Sequence, residues 1–465
     1  MKYIFLISIV CAFSLSSCVG QSTKKVQTKK PNIVFLLADD LGYGELGCYG
    51  QEIVKTPYLD QLAKDGMRFT DFYAGNAVCS PSRAVLMIGK RSDSNTIRGN
   101  LGIYNDDELM RVALKKDEIT LGDMLKKNSY QTAFIGKWHL EDPDDLATWA
   151  YHRGFDYAIQ EQWGNKNGKL TFDPNTEYVN GMQDSIHYDY TKWNSKDEFR
   201  TQLAFDYLDT VNKDQPFFLF MSYRAPHGHE RVIGNETLYA DQGWPENERI
   251  HAAKITLLDT QIGKLIKKLE SMGELENTLI LFTSDNGPTG EGHDYEFFNS
   301  NSELRGYKRD LYEGGIKVPL IAYWKNQIQP GSVSNFVSGF QDIMPTLAEI
   351  TDSTIPNACN GFSILPELLG KSQNIHPYLN WEILVVNNRK RNIEKLFRQS
   401  VRIDQWKGVR YGASFNIELY NLDKDPGETQ DVASEHPQII AKMNDIFTNE
   451  RAENEHYPFN GFIKE

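Results

Sequence analysis

Ile33-Val34-Phe35-Leu36-Leu37-Ala38-Asp39-Asp40 is the stretch that decides the fold of this chain, because six consecutive apolar residues end in two carboxylates. A short, uninterrupted apolar run is typical of a strand that helices cover on both faces. Two adjacent carboxylates at its end repel each other unless hydrogen bonds or a cation hold them. A turn and helix cap would use the same residues, but a hard divalent cation is the sharper interpretation.

Further apolar runs of the same kind follow along the chain: Thr132–Ile135, Phe217–Tyr223, Thr278–Thr283 and Val318–Trp324. Stretches with helical periodicity alternate with them: Thr56–Gly66, Thr120–Asn128 and His251–Met272. This alternation predicts an α/β fold in which a large, mostly parallel sheet is sandwiched by helices.

The chain changes character beyond Gln341. The next part of the chain contains three short strand-like runs: Trp381–Val386, Phe397–Ile403 and Trp406–Tyr411. A helix is predicted after them, at about Pro437–Asn449. We therefore expect a smaller C-terminal antiparallel sheet with one helix. The predicted division is a catalytic domain at residues 31–375 and a C-terminal subdomain at residues 376–465.

Asp142–Asp197 is rich in Asp, Asn, Gly, Tyr and Trp and shows no clear periodicity. We interpret it as a long irregular insertion over one edge of the site. Its Trp and Tyr residues are candidates for stacking on sugar rings.

The first 17 residues read as a signal peptide, with Lys2 followed by an apolar run too short for a confident membrane span. Leu15-Ser16-Ser17-Cys18 resembles a bacterial lipobox, and residues 18–30 read as a tether. We expect an exported protein that is lipid-anchored at Cys18, in the periplasm or at the outer membrane of a Gram-negative bacterium. An ordinary secretory signal is the alternative.

The chain has 465 residues and a formal net charge of −13, which argues against a nucleic-acid partner. Beyond Cys18, the mature sequence retains Cys48, Cys79 and Cys359, which do not form a disulfide framework.

Ligands of open α/β sheets bind beyond the carboxyl ends of the strands. Thr278–Thr283 runs into Ser284-Asp285-Asn286-Gly287, so Asp285 and Asn286 can join Asp39 and Asp40 in an oxygen-only cluster. No Cys/His spacing indicates zinc.

Two more strands deliver basic side chains to the same edge. Thr132–Ile135 precedes Lys137 and His139, whereas Phe217–Tyr223 precedes His227 and His229. Lys308 lies before the last predicted strand and would add a point charge for an anion. A hard cation, several cationic donors and two histidines suit a tetrahedral oxyanion ester, although they do not separate sulfate from phosphate.

Asn76–Met87 (NAVCSPSRAVLM) places a thiol beside a helix start, since Pro81 suits the first helical turn. A helix N-terminus lowers the pKa of a cysteine or collects an anion. A buried structural cysteine beside a helix cap is the plainer interpretation of Cys79 taken alone.

Cys79-Ser80-Pro81-Ser82-Arg83 resembles the C-x-P-S-R signature of type I, formylglycine-dependent sulfatases of the alkaline phosphatase superfamily. The segments that resemble family motifs are Asn32–Gly44, Cys79–Arg83, Gly136–Leu140, Ala225–His227, Asp285–Gly287 and Leu304–Pro319. The resemblance implies that a separate maturing enzyme oxidises Cys79 to formylglycine (3-oxoalanine). It also implies one Ca²⁺, bound by Asp39, Asp40, Asp285, Asn286 and the modified Cys79.

The same resemblance implies a mechanism in which the hydrated aldehyde at position 79 attacks sulfur. His227 would protonate the leaving alcohol or Lys308 would assist it, and His139 would deprotonate the remaining hydroxyl. Arg83 would hold the formylglycine oxygens, while Lys137 and Lys308 hold the sulfate.

Several positions depart from the usual family pattern and lie where the substrate would bind. His229 stands where proline is frequent, and His293 and Asp294 (in EGHDYEFF) look like contacts on the substrate side. With Lys137 and Lys308, these three residues form the predicted substrate-binding set.

The chain resembles the bacterial polysaccharide sulfatases and arylsulfatases. We therefore expect a sulfuric ester hydrolase that removes O-sulfate from a polysaccharide or its oligosaccharides. Algal glycans such as ulvan, carrageenan or fucoidan are favoured over host glycosaminoglycans. The alternatives are a phosphodiesterase or phosphonate hydrolase of the same superfamily, and a non-catalytic glycan-binding lipoprotein.

Overall fold

The structure is a computed structural model that describes residues 29–104, 108–162, 165–166, 169–170, 172–173, 175–228, 238–385 and 397–458. The predicted signal peptide, the anchor residue Cys18, all but the end of the tether, and His229 lie outside these residues. Among the helices of the described parts, none has the length and apolar character that a membrane span requires.

The described strands, in chain order, are β1 (Asn32–Asp39), β2 (Met67–Phe69), β3 (Phe72–Tyr73), β4 (Gly102–Ile103), β5 (Leu109–Met110), β6 (Gln131–Lys137), β7 (Tyr157–Glu161), β8 (Asn165–Lys166), β9 (Lys169–Leu170), β10 (Thr176–Val179), β11 (Asp184–His187), β12 (Phe217–Pro226), β13 (Thr278–Ser284), β14 (Leu320–Trp324), β15 (Ser332–Ser334), β16 (Ser338–Gly339), β17 (Leu379–Leu384), β18 (Phe397–Ile403), β19 (Trp406–Tyr411) and β20 (Glu418–Asn421). The α-helices are α1 (Pro57–Asp65), α2 (Cys79–Ile88), α3 (Leu121–Lys127), α4 (Lys196–Thr210), α5 (Glu246–Ser271), α6 (Glu313–Ile316), α7 (Ile343–Thr351), α8 (Leu365–Leu368) and α9 (Pro437–Asn449).

Ten strands form the main sheet in the order β11-β10-β7-β6-β12-β1-β13-β14-β2-β15. The five strands β7, β6, β12, β1 and β13 are parallel to one another, and β1 lies between β12 and β13. β14 is antiparallel to β13, and β10 and β11 continue the other edge as antiparallel strands. The predicted fold class, with a large mostly parallel sheet, is confirmed.

Side chains of β1 alternate between two cores, one on each face of the sheet. Val34 and Leu36 pack with residues of α1, α4 and α5, whereas Phe35 and Leu37 pack with residues of α2, α3 and α7. All eight residues of β1 are buried, which explains the unbroken apolar run in the sequence.

The prediction of an irregular insertion at Asp142–Asp197 was wrong, because this segment contributes β7, β10 and β11 to the main sheet. Glu161 in β7 and Glu177 in β10 are buried, and both accept hydrogen bonds from the buried guanidinium of Arg200, at 2.6 and 2.7 Å. Buried ion pairs replace the apolar alternation in these strands, so sequence periodicity does not reveal them. Trp149 and Tyr188 are fully buried and therefore not available to stack on a sugar.

The smaller C-terminal sheet has the order β17-β18-β19-β20 and is antiparallel throughout. Met443, Ile446 and Phe447 of α9 pack against Val401 of β18 and Leu419 of β20. The strand predicted at Trp381–Val386 lies at Leu379–Leu384, and Val386 is outside the described residues.

Candidate active site

The ends of β1 and β13 bring four oxygen-bearing side chains together. Asp39 ends β1, and Asp40 follows it in the left-handed backbone region at φ 67°. Asp285 and Asn286 follow β13; Asp285 Oδ1 accepts a hydrogen bond from the Asp40 amide at 3.1 Å. The amide group of Asn286 donates to Asp40 Oδ1 at 2.7 Å. Parallel pairing of β1 and β13 therefore places the two acidic strand ends side by side.

Cys79 is the first residue of α2 and lies against this cluster. Its Sγ is 3.5 Å from Asp39 Oδ1 and 3.9 Å from Asp40 Oδ1. Burial raises the pKa of the thiol to about 12, although Lys137 and Lys308 oppose the rise. The start of α2 therefore does not lower the pKa of this cysteine, which was one of the two effects predicted for a helix N-terminus. The other predicted effect, binding of an anion, stays a prediction.

Arg83 lies one turn further along α2 and is almost completely buried. Nε of its guanidinium donates to Asp285 Oδ2 at 2.9 Å, and Nη2 forms an ion pair with the same oxygen at 2.7 Å. Nη1 donates to the Lys137 carbonyl at 2.7 Å and to Ser222 Oγ at 2.6 Å. Arg83 thus fixes α2 to the ends of three strands, and its predicted contact with the oxygens at position 79 stays a prediction.

Two lysines contact the aspartates: Lys137 ends β6, and Lys308 lies in the loop between β13 and α6. Lys137 Nζ bonds both carboxylate oxygens of Asp39, at 2.9 and 2.7 Å, and Lys308 Nζ bonds Asp40 Oδ2 at 2.7 Å. Burial disfavours the charged form of Lys308, but the negative charge of Asp40 outweighs it and raises the Lys308 pKa. Lys308 is therefore cationic at neutral pH.

His139 and His227 are the two histidines among the predicted catalytic residues. His227 Nε2 lies 3.6 Å from Asp40 Oδ2, and His139 Nδ1 is buried without a hydrogen-bond partner among the described residues. Burial lowers the pKa of both imidazoles, to about 3 for His227. Both rings are therefore neutral at pH 7.

The carboxylates differ in their protonation behaviour. Burial opposes ionisation of Asp39 and Asp40, but neighbouring cations outweigh it and lower the pKa of both, with Lys137 the main cation at Asp39 and Lys308 at Asp40. Burial and the like charge of Asp39 raise the pKa of Asp285 to about 6.

The cluster fits a divalent cation of the calcium type. Ligand atoms of Asp39, Asp40, Cys79 and Asp285 all lie within 4.8 Å of one another. Asn286 Oδ1 is buried without a hydrogen-bond partner in the described part of the chain, so it can coordinate at no loss of an existing bond. Oxygen ligands of this kind are those that Ca²⁺ prefers.

A cavity of about 270 Å³ opens onto Cys79, Lys137, His139, His227 and Lys308. The other described side chains that line it are polar or charged: Asn100, Arg111, Glu141, Glu161, Arg224, Glu291 and Arg309. The sequence analysis did not select these seven residues. Arg224 and Arg309 could have been found, because Arg224 directly precedes the motif Ala225–His227 and Arg309 lies within Leu304–Pro319. Asn100 and Arg111 lie in a stretch without a distinguishing pattern.

Three ion pairs surround this cavity. Arg111 pairs with Glu141, Arg224 with Glu161, and Arg309 with Glu291. The cavity is thus lined by both hydrogen-bond donors and hydrogen-bond acceptors.

Two predicted substrate contacts that the structure describes, His293 and Asp294, do not line the cavity. His293 is buried against His251, with ring centroids 3.5 Å apart, and Asp294 is exposed next to it. Neither is among the residues that line the cavity, so their predicted role as substrate contacts has no support in this geometry.

Comparison with known proteins decides the family. The profile of the family described as "Sulfatase" matches residues 31–353, and that of "N-sulphoglucosamine sulphohydrolase, C-terminal" matches residues 305–453. The chain belongs to the sulfatase family. It is accordingly an enzyme that hydrolyses sulfate esters.

The relatives of this sulfatase span nearly its whole length. Human arylsulfatase A is 30% identical, with 90% of this chain and 87% of that protein covered. An N-acetylgalactosamine-6-O-sulfatase from Bacteroides thetaiotaomicron is 26% identical over 90% of this chain and 93% of its own. The solved structure of Ps i-CgsB in complex with k-i-k-neocarrahexaose matches with a TM-score of 0.77 and 25% identity, covering 93% of this chain and 95% of that one.

Proposed function

We propose that this sulfatase removes O-sulfate from a sulfated polysaccharide or its oligosaccharides, using formylglycine at position 79 and one Ca²⁺. The observation that carries the proposal is the position of Cys79. Its Sγ lies 3.5 Å from Asp39 Oδ1, within the carboxylate cluster, and Cys79 lines a cavity together with two lysines. A nucleophile at this point would share its environment with both the cation and the oxygens of a bound sulfate.

Each cofactor supplies a separate part of the chemistry. The bound Ca²⁺ would polarise the sulfate, and the aldehyde hydrate at position 79 would supply the attacking oxygen. Lys137 and Lys308 would bind the sulfate oxygens, because both line the cavity together with Cys79. Asp39 and Asp40 accept hydrogen bonds from those lysines, and both would also hold the ion.

The two histidines suit proton transfer at opposite ends of the reaction. His227 follows β12 and faces the cavity beside Asp40, where it would hold a proton for the leaving alcohol oxygen. His139 Nδ1, which has no partner within the described residues, would accept the proton of the second hydroxyl at position 79. The lowered pKa of His139 leaves its ring unprotonated at neutral pH and able to accept that proton.

The lining of the cavity supports a carbohydrate substrate. Its paired arginines and glutamates offer donors and acceptors that match hydroxyl groups and a second anionic substituent. Similarity to the protein solved with neocarrahexaose supports carrageenan-type glycans, and similarity to the N-acetylgalactosamine-6-O-sulfatase keeps glycosaminoglycans as the competing class. We place the algal class, which includes ulvan, carrageenan and fucoidan fragments, first.

The direct test is sulfate release from a panel of defined carrageenan, ulvan, fucoidan and glycosaminoglycan oligosaccharides. We expect release from an algal oligosaccharide at a rate far above that from small phenolic sulfates. Paired sulfate and phosphate esters belong in the same panel, because faster turnover of the phosphate member would contradict the sulfatase assignment of this site.

Maturation and export are part of the proposal. Mass spectrometry of the tryptic peptide that contains position 79 should show loss of the thiol in active preparations. A preparation in which that peptide carries only cysteine should be inactive. For the anchor at Cys18, we expect Cys18→Ala to move the protein from the membrane to the soluble fraction of a Gram-negative host.

A further inference from the structure

A second cluster of ligand-bearing side chains lies away from the cavity that contains Cys79. Glu45 belongs to the short 3₁₀ helix Tyr43–Glu45 that follows β1. Glu248 and His251 lie in the first two turns of α5, and His293 lies in the loop after β13. All four are buried, with 0, 2, 3 and 8% of their surface exposed, respectively. We call these four residues the Glu45–His293 cluster.

One half of the cluster is fully hydrogen-bonded. Glu45 Oε1 lies 2.6 Å from His251 Nε2 and accepts a bond from Ser300 Oγ at 2.7 Å. Glu45 Oε2 accepts a bond from the amide of Gly42 at 2.7 Å. The carboxylate is thus held rigidly, with one oxygen facing the histidines.

The other half is not satisfied. Neither ring nitrogen of His293 has a hydrogen-bond partner of acceptable geometry among the described residues, although the Asp294 backbone lies close by. Glu248 Oε2 is likewise buried and unpartnered, and it lies 3.9 Å from His293 Nδ1. Buried polar atoms without partners are rare in folded proteins, and a bound ion is one of the recognised explanations.

We propose that Glu45, His251 and His293 bind a Zn²⁺ ion, with Glu248 as the fourth ligand. Ligand atoms of the first three residues lie within 4.8 Å of one another. Zinc bonds to imidazole nitrogen and carboxylate oxygen are about 2.0–2.2 Å long, so small side-chain shifts would close the site. Two imidazoles and two carboxylates match the tetrahedral donor sets of zinc rather than the oxygen-only sets of calcium.

Binding requires two specific changes. The proton between His251 Nε2 and Glu45 Oε1 must move to His251 Nδ1 or to solvent when the metal takes its place. The rings of His251 and His293, now stacked at an interplanar angle of 14°, must tilt apart so that each lone pair points at the ion.

The cluster also connects to the active site through α5. Lys254 lies one turn beyond His251, and its ammonium group donates to the His227 carbonyl at 3.2 Å. A metal that joins α5 to the loop after β13 would therefore fix the segment that carries His227. On this basis His251 and His293 are positioning residues, not catalytic ones.

Metal analysis of the full-length protein, purified without a histidine tag and dialysed with one added equivalent of ZnCl₂, tests the proposal. We expect one zinc per chain in the wild type and in Asp285→Asn, and less than about a tenth of that in His293→Gln. His187→Gln, which removes an exposed histidine, is the matched control and should keep the zinc. Zinc that is lost in Asp285→Asn but kept in His293→Gln would place the ion at the Cys79 cluster and overturn the proposal.

Cobalt substitution gives a second readout that does not depend on any variant folding. One equivalent of Co²⁺ added to the zinc-free wild type should produce the visible absorption of a tetrahedral nitrogen–oxygen site. Zn²⁺ should displace it and should raise the Tm by about 5 °C. Absence of both the absorption and the Tm shift would refute the site, whatever the activity of the enzyme on sulfate esters.

Discussion

Two buried clusters follow the same two strands, β1 and β13, yet they balance their charge in different ways. In the Cys79 cluster, three carboxylates face Arg83, Lys137 and Lys308, and a cavity gives access to solvent. In the Glu45–His293 cluster, two carboxylates face two imidazoles, and the side chains are almost completely enclosed.

The difference shows that donor type and access, not burial alone, determine what each cluster can do. Permanent cations beside carboxylates keep charge in place for an anionic substrate, and oxygen ligands favour a hard cation. Neutral imidazoles supply nitrogen ligands that favour zinc, and enclosure suits a structural ion. The predictions below separate the two clusters, starting with the largest effect.

The largest expected effect is that of Cys79→Ala. Loss of the nucleophile should reduce sulfate release by at least about 10³-fold while leaving glycan binding and the Tm nearly unchanged. Cys48→Ala, which changes a half-buried cysteine elsewhere, is the matched control and should keep its activity. Full activity of Cys79→Ala in a sulfate-release assay would refute the mechanism.

Removal of calcium should come next. Asp285→Asn, or dialysis against EGTA, should lower kcat by roughly 10²-fold, because the cation and Arg83 both depend on this carboxylate. Added Ca²⁺ should restore the dialysed enzyme, and added Zn²⁺ should not. Equal recovery of kcat with Ca²⁺ and with Zn²⁺ would contradict the proposal that the Cys79 cluster prefers calcium.

The lysines of the Cys79 cluster should affect substrate and transition state together. Lys137→Ala should raise KM and lower kcat, for a combined loss of about 10²-fold in kcat/KM, because the sulfate loses a charged donor and Asp39 loses its partner. Lys116→Ala, at an exposed position, is the control and should behave as the wild type. A change confined to the Tm, with kcat/KM unaltered, would assign Lys137 a purely structural role.

His293→Gln should have a smaller effect on catalysis than any change in the Cys79 cluster. We expect kcat to fall by no more than about fivefold, through weaker positioning of His227, while the Tm no longer responds to Zn²⁺. A loss of activity as large as that of Asp285→Asn would show that the two clusters act as one site.

The smallest effect concerns a buried group of carboxylates that has no imidazole at all. Glu313 and Glu428 share Lys407, whose Nζ lies 2.7 Å from Glu313 Oε1 and 3.7 Å from Glu428 Oε1. Burial, with a further contribution from Glu313 and against the effect of Lys407, raises the pKa of Glu428 to about 7.

Because the folded-state pKa of Glu428 lies above that of the unfolded chain, its contribution to stability is complete at acidic pH. That contribution is lost as the pH rises through about 7. The Tm of the wild type should therefore fall by a few degrees between pH 6 and pH 8, and Glu428→Gln should reduce this fall. An identical pH profile for both proteins would contradict the assignment.

Much of the central sheet could be predicted from the sequence. β1, β6, β12 and β13 are buried on both faces, so each is an apolar run that ends at a functional residue. β7 and β10 could not be predicted in this way, because Arg200 pairs with glutamates inside them and removes the apolar pattern. The hydrophobic periodicity of the sequence does not reveal a buried ion pair, because its two partners are brought together only by the fold.

By itself, the sequence determined the residue types at the strand ends, since Asp39, Asp285 and Cys79 belong to short motifs whose chemistry is local. Only the tertiary structure decided which residues meet. Arg111 and Arg224 reach the cavity from separate segments, and His251 meets His293 across α5 and a loop. The physical reason is that contacts between distant segments depend on strand order and helix packing, and no spacing along the chain encodes them.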